Sequence, residues 1–225
     1  MPTGRLVVFE GSEGAGKTTQ LRLLKELLRG RGFDVLALRE PGGTALGDAI
    51  RALLLDPERH ISPEAEALLF MASRAQLVSD EIDPALARGV VVLMDRFFLS
   101  TYAYQIDGRG LSESRIQQAN SFAVGGLVPD LTIVLGVSAS EGMTRTKARG
   151  ENDRIERLGD AFHERVEKAF SRFADRDWQL GHPEAGPVVA VDGRGEPEEV
   201  HRRVVEALAR NLPQDFADLL DGNRG

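Results

Sequence analysis

The residues best suited to do chemistry lie near the start of the chain. Gly11-Ser12-Glu13-Gly14-Ala15-Gly16-Lys17-Thr18 satisfies G-x-x-x-x-G-K-[ST] at every position. Glycines at 11, 14 and 16 let the backbone curl so that successive amides converge on phosphate oxygens. A helix beginning directly behind the loop adds the partial positive charge of its N-terminus. In this pattern Lys17 reaches the β- and γ-phosphates and Thr18 is a ligand for Mg2+. The apolar run before the loop and the leucine-rich stretch after it supply the required strand and helix. The loop marks a nucleoside-triphosphate site; it does not say what the triphosphate is used for.

A second acidic signal closes another apolar run. Val91-Val92-Leu93-Met94-Asp95 is a strand pattern ending in a carboxylate, which puts Asp95 near the metal, directly or through water. Alone, the same pattern also fits an aspartate that caps a turn. The next residue narrows the chemistry. Motor and switch triphosphatases usually carry a carboxylate there to activate water, whereas this chain has Arg96, a cation suited to a second phosphate. No Asn-Lys-x-Asp motif for guanine is present. Phosphoryl transfer to an acceptor that is already phosphorylated becomes the leading class.

These residues need a scaffold. Apolar runs at Leu6–Phe9, Val35–Leu38, Val90–Met94, Leu131–Val137 and Val188–Val191 are rich in Val, Ile and Leu, as in strands covered on both faces. Between them, apolar residues recur at helical spacing: Leu21, Leu24, Leu27 and Leu28; Ala65, Leu68, Leu69, Ala72 and Leu77; Val200, Val204, Leu208 and Leu212. The alternation predicts an α/β, three-layer fold: a five-stranded, mostly parallel sheet flanked by helices, with ligands beyond the carboxyl ends of its strands. No linker divides the 225 residues, so 1–212 reads as one domain. A polar tail follows at 213–225, and its Phe216, Leu219 and Leu220 either fray or dock on the body. A net charge of −7 argues against a nucleic-acid or membrane-surface partner, because both need a basic face. The absence of cysteine excludes disulfides and thiolate chemistry. With no signal-peptide pattern at the N-terminus, the expectation is a soluble cytoplasmic protein.

Four segments, in order, resemble the motifs of bacterial thymidylate kinases, which are P-loop nucleoside monophosphate kinases. They are Phe9–Gln20, Arg39-Glu40-Pro41-Gly42-Gly43-Thr44, Asp95-Arg96-Phe97-Phe98-Leu99-Ser100-Thr101 and Asp153-Arg154-Ile155-Glu156, and the resemblance runs from about Arg5 to Leu208. It implies transfer from ATP·Mg2+ to dTMP by a homodimer. It places the Glu13 carboxylate at the sugar 3′-hydroxyl, and Arg96 and Arg51 at the acceptor phosphate. It stacks Phe70 on thymine and lets Arg74 read a base oxygen. Thr101, Tyr104 and Gln105 line base and sugar, with Tyr104 packed where a 2′-hydroxyl would otherwise fit. From spacing alone, Phe70 and Arg74 share a helix face and read as a core aromatic and an ion-paired arginine. A carboxylate among phosphate-binding amides is unusual, so Glu13 invites a functional role rather than that of a solvated loop residue, while Arg51 is open between a phosphate ligand and a solvated helix residue. Adenine is expected near Asp192-Gly193-Arg194-Gly195.

Residues 145–157 hold five cations and three acids. That composition suits a solvated helix, or a mobile arginine-rich lid over the transferred phosphoryl group. The phosphate loop carries Glu13-Gly14 and no arginine. The resemblance therefore assigns the catalytic cations to a lid at about 140–160, with Arg149 and Arg154 as those cations and Asp153 and Glu156 orienting them. Gly136 stands where the resemblance implies an acid. Phe98 stands where polar or aliphatic residues are common and is expected to shape the pocket rim. The resemblance also implies a cis Glu40–Pro41 bond.

Overall fold

The apolar runs are the strands of one sheet in this computed structural model, which describes residues 4–138, 141–142, 144–145 and 153–220. The strands are β1 (Arg5–Glu10), β2 (Val35–Arg39), β3 (Val91–Asp95), β4 (Leu131–Gly136) and β5 (Val188–Asp192). They lie in the order β2-β3-β1-β4-β5, and every neighbouring pair is parallel. Among the described residues the sheet is thus wholly parallel.

The helices are α1 (Lys17–Gly30), α2 (Ala45–Leu55), α3 (Pro63–Leu77), α4 (Asp83–Ala87), α5 (Phe98–Thr101), α6 (Glu113–Val124), α7 (Asp160–Phe173), α8 (Arg176–Gly181), α9 (Pro197–Asn211) and α10 (Pro213–Phe216). One face of the sheet, through Val7 and Phe9, packs on the leucines of α1 and on Val200, Val204 and Leu208 of α9. The other, through Leu6 and Val8, packs on Leu77, Phe97, Tyr102 and the apolar side of α7. Burial on both faces is why β1 shows no alternation.

The helical spacing puts Leu68 on the apolar stripe of α3 with Leu77, yet it is 63% exposed, while Glu66, Ala67, Met71, Ser73, Arg74 and Leu77 are buried. α3 packs between α2 and α6 and buries a polar network, so its apolar spacing does not mark its inner face. Phe98 does not form a pocket rim. It is buried, edge-on to Phe97 and Tyr102, in the core below the site. Beyond Thr101 the helix widens into a π-helical turn over Tyr102–Gly108, and α3 ends in another over Val78–Ile82. The Glu40–Pro41 bond is cis. At Gly136 the nearest atom to an added Cβ would be Val191 O at 3.9 Å, so a side chain has room there.

The tail docks through Phe216 and Leu219, whereas Leu220 is exposed. The Phe216 side chain is 1% exposed and its ring lies 5.3 Å from that of Phe33. Arg5 clamps the same end, pairing with Asp130 at 2.8 Å and Asp215 at 2.7 Å. Removing an enclosed ring leaves a cavity. Phe216→Ala is therefore expected to lower the free energy of unfolding by about 3 kcal/mol, read as a reduced urea midpoint with an unchanged m-value. A change under 1 kcal/mol would mean that the tail contributes little to the core.

Candidate active site

A cavity of about 970 Å3 lies at the carboxyl ends of the strands, among Lys17, Arg39, Asp95, Arg96, Phe70 and Gly193. That is the upper end of the size range for ligand pockets. The phosphate loop forms its floor. Gly11, Gly14 and Gly16 all have positive φ, and at Gly14 (φ 71°) the Gly142 backbone stands where a Cβ would be. Lys17 Nζ donates to the carbonyls of Gly11 and Ser12 at 3.0 and 2.8 Å. Burial, followed by the Arg96 charge, lowers the Lys17 ammonium to about 8, against the pull of Glu13, Asp95 and Glu10. Thr18 Oγ1 donates to Asp95 Oδ2 at 2.6 Å. A hydroxyl and a carboxylate are hard oxygen donors, as Mg2+ prefers when phosphates complete its shell. Among the described residues no group of three or more acidic or histidine side chains forms a separate metal site.

Arg96 joins the two halves of the cavity. It is the non-glycine residue with positive φ (71°) among those described, a strained backbone of the kind found at functional sites. Its amide donates to Phe9 O, and its guanidinium donates to Gly11 O, Ser100 Oγ, Glu13 Oε1 and Tyr104 OH. Glu13 and Arg96 are 2.7 Å apart, and Tyr104 OH donates to the same Glu13 oxygen at 3.1 Å. Burial opposes ionisation of Glu13. The charges of Arg96 and Lys17 outweigh it and hold the carboxyl at about 2. Burial pushes the Tyr104 phenol well above its ordinary range, so it stays protonated. Glu10 supports this arrangement from below, accepting from the amides of Phe97 and Ser100 and from Ser100 Oγ.

Further into the cavity stand Arg39, Arg51, Phe70, Arg74, Thr101 and Gln105. Arg51 donates to Pro41 O at 3.0 Å, and burial with the nearby Arg39 charge lowers its pKa. Arg74 is 1% exposed. Its Nε and Nη2 go to Glu40, Nη2 also goes to Phe97 O, and Nη1 goes to Thr101 Oγ1 and Asn120 Oδ1. Each of its N–H groups thus has an acceptor. Gln105 donates to Glu66 at 2.9 Å. The loop after β5 completes the opposite end with Gly193, Gly195 and Pro197, the place expected for adenine.

The lid cations divide. Arg149 lies outside the described residues. Arg154 is described and is placed elsewhere than expected: it does not line the cavity. Its guanidinium pairs with Glu66 at 2.6 Å and donates to Leu54 O at 2.8 Å. Asp153 and Glu156 do line the cavity, as does Arg145, whose Nη1 donates to Gly14 O at 3.4 Å. Arg39, Glu40, Glu66, Ser100, Asn120 and Arg145 were not singled out from sequence. Arg39, Glu40 and Ser100 sat inside recognised motifs, and Arg145 inside the cationic stretch. Glu66 and Asn120 carried no local signal.

A triphosphate loop facing a second cluster of cations across one cavity defines a phosphotransferase of the nucleoside monophosphate kinase class. The comparisons with known proteins make this narrower. The family model described as thymidylate kinase matches residues 9–204, and the chain belongs to that family. It is 44% identical over 197 residues to a thymidylate kinase of Carboxydothermus hydrogenoformans, covering 88% of this chain and 93% of that one. It is 41% identical over 209 residues to one of Deinococcus radiodurans, covering 93% and 98%. A crystal structure of thymidylate kinase from Ehrlichia chaffeensis superposes with a TM-score of 0.72 at 29% identity, covering 92% of this chain and all of that one.

Proposed function

We propose that the protein transfers the γ-phosphoryl group of ATP to dTMP, giving dTDP and ADP, by direct in-line displacement. The observation that carries this reading is the Lys17–Glu13–Arg96 arrangement, which joins a triphosphate loop to a phosphate-binding arginine through one carboxylate. ATP lies along the phosphate loop, with adenine towards Gly193 and Gly195. The acceptor phosphate lies among Arg96, Arg39 and Arg51. Its oxygen is already anionic, so positioning and charge stabilisation carry the rate without a general base. Thr18 and Asp95 would hold Mg2+ beside the phosphates, where it would supply charge neutralisation. Lys17 and Arg96 hold the donor and acceptor phosphates, and Arg149 and Arg145 are the further cations assigned to the transferred group.

Phe70 offers a face for the pyrimidine, with Thr101, Gln105 and Arg74 at its edge. A base oxygen reaches Arg74 by displacing the Thr101 hydroxyl, an uncharged partner at 3.1 Å. Glu13, ionised at neutral pH, accepts the sugar 3′-hydroxyl, and the Tyr104 ring fills the space a 2′-hydroxyl would need. The reading also includes a cytoplasmic homodimer. Leu68 on α3 and Phe122 on α6, two helices that pack side by side, are 63% and 92% exposed and suit a second copy. Among the described residues no helix is long and apolar enough to cross a membrane.

The test is ADP formation with ATP and Mg2+ against dTMP, dUMP, UMP, dCMP, GMP and AMP in turn. The expected order is dTMP first, dUMP weaker and UMP lowest. If another monophosphate is preferred, the roles of Phe70, Arg74 and Tyr104 fail while the phosphate roles stand.

A further inference from the structure

We propose that Glu66 is a positioning residue for the acceptor half of the site, holding Gln105 and the Asp153–Glu156 turn in place together. The proposal rests on the dTMP kinase reading and adds to it a residue that touches neither nucleotide.

Glu66 is fully buried, one helical turn before Phe70 on α3. Its Oε1 accepts from Gln105 Nε2 at 2.9 Å and from Arg109 Nε at 3.1 Å. Its Oε2 accepts from Arg109 Nη2 at 2.7 Å and pairs with Arg154 Nη2 at 2.6 Å. Arg154 in turn is bound to the end of α2, through its amide to Leu55 O and its Nε to Leu54 O. The residues around Arg154 face the site. Asp153, Ile155 and Glu156 line the cavity, and Asp153 Oδ1 accepts the amides of Ile155 and Glu156 at 2.8 and 2.9 Å, which fixes the turn. One carboxylate therefore ties α2, α3, the π-helical turn and the 153–156 turn around the acceptor.

The chemistry leaves little tolerance. Two guanidinium groups converge on one carboxylate oxygen, so the cluster carries a net positive charge even when Glu66 is ionised. Burial would raise the Glu66 pKa, but hydrogen bonds from Arg109, Gln105 and Arg154 hold it below the ordinary range. An amide in its place faces donors in either orientation: Gln105 and Arg109 on one side, both arginines on the other. The two cations would then repel one another, and both Gln105 and the turn would lose their reference point.

The experiment is a KM comparison for the two substrates in Glu66→Gln and Arg154→Gln. A buried charge-assisted bond is expected to be worth about tenfold in KM for dTMP in Glu66→Gln, with KM for ATP within about twofold. Arg154→Gln is expected to raise KM for dTMP by about threefold, and Arg154→Lys, which keeps the charge on Glu66, to recover most of it. A general loosening of the fold would move both KM values together. Unchanged KM for dTMP in both variants, or a parallel rise in KM for ATP, overturns the proposal. If Glu66→Gln does not fold, hydrogen exchange on the unaltered protein decides. With dTMP alone, amides at 105–109 and at 154–156 should slow together, and slowing at 105–109 only overturns the link. If the unaltered protein forms no ADP with dTMP, the functional reading itself falls, and the proposal with it.

Discussion

Arg96→Ala is expected to reduce kcat/KM for dTMP by about a thousandfold while ATP affinity changes by no more than about threefold. The reason is the number of connections made by one guanidinium. Arg96 holds Glu13, Ser100, Tyr104 and the Gly11 carbonyl at once, at 2.7 to 3.2 Å. Its removal takes away the cation assigned to the acceptor phosphate and also frees the carboxylate assigned to the sugar. The Glu13 carboxyl, held at about 2 in the intact site, rises towards the ordinary carboxylate range once its partner is gone. In the parent protein that pair stabilises the fold above the ordinary carboxylate range, and its contribution is lost as pH falls from about 4.5 towards 2. The variant should lose this acid limb. Arg96→Lys should recover little, because a single ammonium cannot make the forked contacts. The decisive pair of measurements is dTMP-dependent ADP formation and ATP binding by calorimetry. Loss of ATP binding in a folded variant would assign Arg96 to the phosphate loop rather than to the acceptor.

What was legible in the sequence was contiguous. The phosphate loop, and Asp95-Arg96 at the end of β3, could be read because each sits in a short segment whose backbone does the positioning. The five strands were legible because burial on both faces leaves uninterrupted runs of Val, Ile and Leu. The inner face of α1 and of α9 followed from spacing, since each packs on the sheet with a single apolar stripe. α3 did not. It packs on neighbours from several directions and buries Glu66, Ser73 and Arg74, so Leu68 is left outside. The Arg74 network illustrates why. Glu40, Thr101 and Asn120 come from three distant parts of the chain, and only the fold brings them to one guanidinium. The π-helical turn over Tyr102–Gly108 sets where Tyr104 and Gln105 point, yet seven residues are too few to print a period. The resemblance, together with the charge of the stretch, puts Arg154 over the transferred phosphoryl group, whereas here it pairs with Glu66. Charge density alone does not distinguish an arginine facing a nucleotide from one facing a buried carboxylate.

Lys17→Ala is expected to lower kcat by about a thousandfold, and the same side chain sets how the unaltered protein responds to pH. Lys17 is buried beside Arg96, and both effects favour its neutral form, lowering it to about 8 against an ordinary 10.5. Only the ammonium can pair with phosphate. In the free protein kcat/KM for ATP should therefore be level below pH 8 and fall about tenfold per unit well above it. Bound triphosphate favours the charged form, so the limb in kcat, which reports the complex, should lie at higher pH than the limb in kcat/KM. The stability limb has the opposite direction. Between about 8 and 10.5 the unfolded chain holds the proton that the folded protein has released, so resistance to urea contributed by this group rises with pH across that window. A fall in kcat/KM for ATP together with a gain from Lys17 in stability, over the same range, separates loss of an essential charge from simple alkaline unfolding. A kcat/KM profile that stays level to pH 10 would mean that Lys17 keeps its proton in the free protein, and that its two carbonyl partners, Gly11 and Ser12, offset its burial.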